Sequence, residues 1–172
     1  GSVNLDSNEL TVSQSASEAT FSGIISGSTS TSQFKKAGSG TLILSGANTY
    51  QGNTSIDDGV LDVSGSLHNS TIVDVSSGAT YRLSSSDTIG GLTGAGSVNL
   101  DSNELTVSQS ASEATFSGII SGSTASSDLR KAGQGTLILS GDSTYEGDTF
   151  VDAGGLTVSG SLASTSVTCS GR

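Results

Sequence analysis

The 172-residue chain has no proline, no methionine and no tryptophan, and only one cysteine and one histidine. A lone cysteine, Cys169, excludes an intrachain disulfide, and His68 without a second histidine leaves few ligands for a metal or cofactor, so none is expected. Without proline, no position is barred from donating to a strand ladder. Basic residues are scarce: 6 Lys+Arg stand against 16 Asp+Glu, a formal net charge of −10. The mean field therefore repels phosphate backbones and anionic lipid, and nucleic acid is excluded as the expected partner. No run approaches the roughly 20 apolar residues of a membrane helix, and no basic-then-apolar leader opens the chain. Direct membrane insertion is not expected of this chain, which reads as an internal piece of something longer.

What is abundant is small and polar: 24 Gly, 38 Ser and 20 Thr. Such a composition drifts towards disorder, yet Val, Leu, Ile and Phe together number 39 of 172. That is slightly above the roughly one-fifth level at which disorder becomes the default. A core is possible, but a narrow one.

The chain is a tandem duplication. Residues 1–29 recur without change at 96–124, and residues 30–67 align without gaps with 125–162, differing at 15 positions. The first copy is 1–95 and the second, truncated copy 96–172, within one continuous unit. The differences sort by side: Phe34 against Leu129 and Ile56 against Val151 stay apolar and read as inward. Ala47 against Asp142, Gln51 against Glu146 and Asn53 against Asp148 read as solvated. Inside each copy, glycine and turn-like clusters cut segments of 17–21 residues, five to a copy and about nine in all.

Within these segments lie short runs with period-two alternation or β-branched enrichment. They include Gly40-Thr-Leu-Ile-Leu-Ser-Gly46, Val60-Leu-Asp-Val63, Thr71-Ile-Val-Asp-Val75 and Ala19-Thr-Phe-Ser-Gly-Ile-Ile25, separated by Ser, Gly, Asn and Asp turns. No helical stripe emerges. A 19-residue unit with two or three such strands cannot bury its apolar face alone, so neighbours must stack on it. The expected fold is all-β, a parallel β-helix with one segment per coil, in preference to a sandwich or closed barrel. Leu42, Leu44, Leu137 and Leu139 are the expected core.

The run Gly40-Thr-Leu-Ile-Leu-Ser-Gly-Ala-Asn-Thr-Tyr-Gln-Gly-Asn-Thr54, followed by Ile56, Gly59, Leu61 and Val63, resembles the passenger-associated transport repeat of bacterial autotransporters. Gly135 to Thr149 carries the same pattern, and the lead-ins Phe21 to Gly27 and Phe116 to Gly122 are similar to that family as well. The resemblance implies a right-handed parallel β-helix passenger of adhesin type, exported through the outer membrane and displayed on or shed from the cell surface. The family's translocator barrel and signal peptide have no counterpart here, and the chain stops within a coil between Ser164 and Arg172.

Chemistry-bearing residues are few. Asp57-Asp58 becomes Asp152-Ala153 in the second copy, so this carboxylate pair is not retained as a unit and reads as a solvated turn. A β-helical polysaccharide lyase or hydrolase, the competing enzymatic reading, would draw on Asp57 and Lys36. Asp6, Asn8 and Glu9, repeated as Asp101, Asn103 and Glu104, offer oxygen ligands but no closed calcium loop, and read as a turn held by side-chain-to-backbone bonds. No Ser-His pairing repeats. The candidates for surface contact are the pairs Lys35-Lys36 and Arg130-Lys131, as basic spots for acidic glycans, and Tyr50 and Tyr145, whose rings could stack on sugars. A charged turn and a tyrosine packed across a coil corner are the competing and better-supported readings. The expected function is non-enzymatic: an adhesive stalk associating side by side with its own kind, or holding host or matrix glycan or protein. A passive spacer is the bland alternative.

Overall fold

The structure, a computed structural model, describes residues 1–15, 17–110, 113–164 and 166–170; Thr165, Gly171 and Arg172 of the C-terminal end lie outside them. The described residues form strands and turns and no helix. The chain opens with β1 (Ser2–Asn4), β2 (Leu10–Ser13), β3 (Glu18–Phe21), β4 (Ile24–Ser26), β5 (Phe34–Ala37) and β6 (Thr41–Leu44). It continues through β7 (Thr54–Ile56), β8 (Val60–Val63), β9 (Ile72–Val75), β10 (Thr80–Leu83), β11 (Asp87–Ile89) and β12 (Gly91–Gly94). The second copy begins with β13 (Ser97–Asn99), β14 (Leu105–Ser108), β15 (Glu113–Phe116), β16 (Ile119–Ser121), β17 (Leu129–Ala132) and β18 (Thr136–Leu139). It ends with β19 (Asp142–Ser143), β20 (Thr149–Val151), β21 (Gly155–Val158), β22 (Ser161–Leu162) and β23 (Val167–Cys169).

Strands pair in parallel with strands one coil away, giving a right-handed β-helix with three faces. Face I carries β1 and β4, then the bridge between Ala47 and Ser66, then β11-β14-β17-β20-β23. Face II is the eight-stranded sheet β2-β5-β7-β9-β12-β15-β18-β21. Face III runs β3-β6-β8-β10-β13-β16 and continues through a Thr144 N–H to Ile120 carbonyl bond into β19-β22. On face I, where regular strand lapses, side chains complete the ladder. The Asn48 amide oxygen accepts from the Ile25 N–H at 3.0 Å, and Asp87 accepts from the Leu67 N–H.

The interior follows from strand alternation, since every second side chain points inward and stacks on its equivalent a coil away. Phe34, Ile56, Val75 and Leu139 are buried on face II, and Leu61, Tyr81, Val98 and Ile120 on face III. Leu42, Leu44, Leu137 and Leu139 all lie in this core, as expected, and so do both members of the inward-read pairs Phe34/Leu129 and Ile56/Val151.

The coil count is where the structure departs from the sequence reading. Face II stacks eight strands rather than nine. Coil advance varies, from Thr80 over Ser97, 17 residues apart, to Leu10 over Phe34, 24 apart. The long coils arise because corner loops at 5–9 and 27–33 take up residues without adding strand. The duplicated unit is consequently not a whole number of turns. β1 lies on face I but its identical copy β13 lies on face III; β2 moves from face II to face I as β14, and β3 from face III to face II as β15. Counting successive faces from β1 to β13 gives four and two-thirds turns per 95-residue copy. Identical sequence is thereby set on a different face in each copy.

Candidate surface sites on the rod

Four of the six surface-contact candidates are not on the surface. Tyr50 and Tyr145 are fully enclosed at coil corners, their hydroxyls bonded to Thr54 Oγ1 at 2.6 Å and Thr149 Oγ1 at 2.7 Å. Burial pushes both phenols above their ordinary pKa. Lys36 and Lys131 are also buried. The Lys36 ammonium donates to the carbonyls of Ala37, Gly38 and Asp58 at 3.2, 2.5 and 3.0 Å. Lys131 does the same to Ala132, Gly133 and Ala153 at 2.6, 2.8 and 3.2 Å. Each lysine ties a tight corner to the next coil, and desolvation lowers both pKa values. Period-two alternation carried this signal: if Phe34 points inward, Lys36 must as well, and Leu129 fixes Lys131 in the same way.

The other two candidates face outward, half-exposed and paired. Lys35 Nζ lies 2.6 Å from Asp57. Arg130 bridges Glu104 at 3.0 Å and Asp152 at 2.8 Å while its guanidinium stacks 4.5 Å above the Phe150 ring. Asp57 and Lys36, the pair an enzyme would need, are thus engaged separately, one in a surface ion pair and the other inside a corner.

Two clefts escaped the sequence reading. The first is lined by Asn4, Asp6, Ser26, Ser28, Thr49 and Gln51 with the Gly27 backbone, and encloses about 340 Å³. The second, about 320 Å³, is lined by Asn99, Asp101, Ser121, Ser123, Thr144 and Glu146 with Gly122. Every lining position recurs 95 residues on, and only Gln51 against Glu146 differs. Each cleft spans three successive coils at one corner of the rod. At each cleft an aspartate adopts the left-handed backbone region, φ 50° at Asp6 and 49° at Asp101; they are the non-glycine residues with positive φ among those described. Asn4 holds Asp6 from both sides, accepting from its N–H at 3.1 Å and donating to its Oδ1 at 2.8 Å, and Asn99 accepts from the Asp101 N–H at 2.9 Å. The Ser32 and Ser127 hydroxyls pin the loops by donating to the Asp6 and Asp101 carbonyls. Asn8 donates from its side chain to the Leu5 carbonyl in the same turn. The signal available in sequence was the exact repetition of Asn-Leu-Asp; what hid it was that Ser26 and Thr49 arrive from later coils.

A third polar corner holds a buried carboxylate. Asp87 accepts from the Leu67 and Thr88 N–H groups and from the Tyr81 hydroxyl at 3.0 Å, and burial raises its pKa from 3.8 to about 6.

Three faces of short parallel strands, a core filled by stacked side chains and glycine-turned corners define a parallel β-solenoid. The family comparison agrees: the passenger-associated-transport-repeat matches residues 34–63 and 129–158, the stretches from β5 to β8 and from β17 to β21. Over 157 residues, 84% of the chain, the sequence is 33% identical to the adhesin BmaC autotransporter of Brucella suis biovar 1 (strain 1330), and it spans 4% of that protein's length. No solved structure matches the chain significantly. The chain belongs to the autotransporter passengers built on passenger-associated transport repeats, and such a passenger is exported through the outer membrane to the bacterial surface or beyond.

Proposed function

We propose that this chain is a non-enzymatic stalk segment of an adhesin passenger, contributing to attachment or to cell–cell self-association. The observation that carries this reading is the similarity to an adhesin autotransporter in a rod whose interior is occupied by its own side chains. Any ligand must then be met by the outer faces and corners. Those outer positions are mostly Ser, Thr, Asn and Asp, hydrogen-bonding groups suited to reversible contacts between rods or with a polar matrix.

The charge of −10 sets the conditions. Parallel rods of one sign repel at low salt, and that repulsion is screened over about 8 Å at physiological ionic strength. Sedimentation velocity over a concentration series, at low and at physiological salt, should show an elongated particle whose association grows with both. A strict monomer under all conditions removes self-association. Beads coated with the chain should still adhere to a matrix surface if attachment is heterotypic. Failure of both assays leaves a passive spacer.

A further inference from the structure

We infer that the two corner clefts are equivalent binding sites for uncharged saccharide, displayed on different sides of the rod. The inference rests on the adhesive reading and names its ligand. Both linings supply an asparagine amide, an aspartate carboxylate and three hydroxyls, with Gln51 adding a second amide to the first cleft and Glu146 a second carboxylate to the second, and together they donate and accept as a sugar's vicinal hydroxyls require. Neither cleft contains a basic side chain to offset its aspartate, so sialic acid, uronic acid or phosphate would bring a negative charge against a carboxylate with no cation between them.

Beside each cleft stands an apolar ledge. Ile24 and Ile119, 45% and 46% exposed, lie two residues before the lining Ser26 and Ser121 on β4 and β16, so they project from the same side of the strand. That places each isoleucine about 7 Å along the strand from its serine. The other exposed large apolar residues among those described, Val158 and Val167, belong to the last coil. Ile119 is therefore apolar surface in mid-rod and Ile24 apolar surface one coil from the first strand, each beside a hydroxyl-lined cleft, an arrangement that takes the C–H face of a sugar ring while its hydroxyls reach the Asn-Asp pair.

Both sites are organised before any ligand arrives, since the aspartate is already fixed in the left-handed region by its asparagine and its loop by a serine. Because a copy spans four and two-thirds turns, the second cleft sits one face away from the first, about 22 Å further along the axis at about 4.8 Å per coil. One straight glycan along a single face cannot fill both clefts. The rod is bivalent towards separate glycans and suits cross-linking.

The test is binding of the purified chain to immobilised neutral oligosaccharides terminating in mannose, galactose or N-acetylglucosamine, with sialylated oligosaccharides alongside. Two equivalent sites per chain and at least tenfold preference for a neutral member are expected. Asp6→Gly removes the carboxylate while keeping a residue that favours positive φ, and should halve the stoichiometry at unchanged thermal midpoint; Asp6→Gly with Asp101→Gly should abolish binding. Thr49→Lys with Thr144→Lys, at exposed lining positions, blocks the clefts independently of the turn and should have the same effect. Absence of binding to every neutral probe, or binding that survives both double variants, overturns the inference. Coated beads separate it from the adhesive reading: adhesion undiminished in both double variants refutes the clefts and leaves adhesion standing, whereas beads of the unaltered chain that do not adhere refute the adhesive reading itself.

Discussion

At the scale of single residues, this rod depends on polar groups placed where a solenoid this thin has little room for them. Asp87 is the sharpest case. Its carboxylate replaces a missing strand partner for Leu67, yet burial holds its pKa near 6 against 3.8. The folded state therefore binds the proton more tightly than the unfolded chain between about pH 4 and pH 6. In that window this group makes stability fall as pH rises, by at most about 3 kcal/mol in all. Thermal midpoints of the parent and Asp87→Asn, measured from pH 4 to 7, should differ by an amount that changes across this window and is flat above it. A pH-independent difference would show that Asp87 titrates normally. The buried lysines make the opposite kind of contribution. Replacing Lys36 by Met removes the charged donor from three carbonyls, of which that of Ala37 keeps its bond from the Gln14 N–H, and should lower stability by about 2–4 kcal/mol. The equivalent Lys131→Met should cost the same, because its three carbonyl partners recur in the second copy. These interior charges were half legible: alternation from Phe34 placed Lys36 inward, but the rule that lysine stays in water argued more loudly, and only the corner carbonyls resolve the conflict.

Strands and corners were more readable than charges, because alternation and β-branching act locally whereas a corner's tolerance depends on which backbone passes behind it. Leu44 is an inward residue of face III in contact register with Phe21 and Val63, and Leu44→Ala should cost about 2–5 kcal/mol in urea unfolding. Two glycines separate backbone strain from steric closure. Gly78 has φ +89° with open space where a Cβ would stand, while Gly94 has φ +105° and a Cβ there would lie 2.1 Å from the Val75 carbonyl oxygen. Gly78→Ala should therefore cost about 1–2 kcal/mol from φ alone. Gly94→Ala should cost clearly more, because the stacked backbone of β9 and β12 must separate. Equal losses for the two would mean that the coils at Gly94 are looser than their register implies. Sequence alone marks both as turn glycines. The difference appears only once Val75 is placed a coil below.

For the whole molecule, the decisive quantity is the phase between copy and coil. A sequence cut into five segments of about 19 residues suggests five coils per copy, with every copy in register along the rod. Strand order instead gives four and two-thirds, since the loops at 5–9 and 27–33 lengthen their coils and the stretch from β1 to β13 crosses fourteen faces rather than fifteen. This could not be read from periodicity, because residue spacing counts loop and strand alike. Its effect on function is directional. With register, every cleft would look the same way and a rod would be sticky on one side. With a one-third offset, successive copies present the same corner to each side in turn, and contacts can form with neighbours in any direction around the axis. The phase is measurable in an extended array of 95-residue copies. Three copies make fourteen turns and restore the starting face, so the array should show an axial repeat of about 67 Å at about 4.8 Å per coil. A five-coil copy would repeat instead at about 24 Å. Helical reconstruction from electron micrographs of such an array distinguishes the two. A true repeat at the shorter length would refute the offset, and with it the display of the clefts on different sides of the rod.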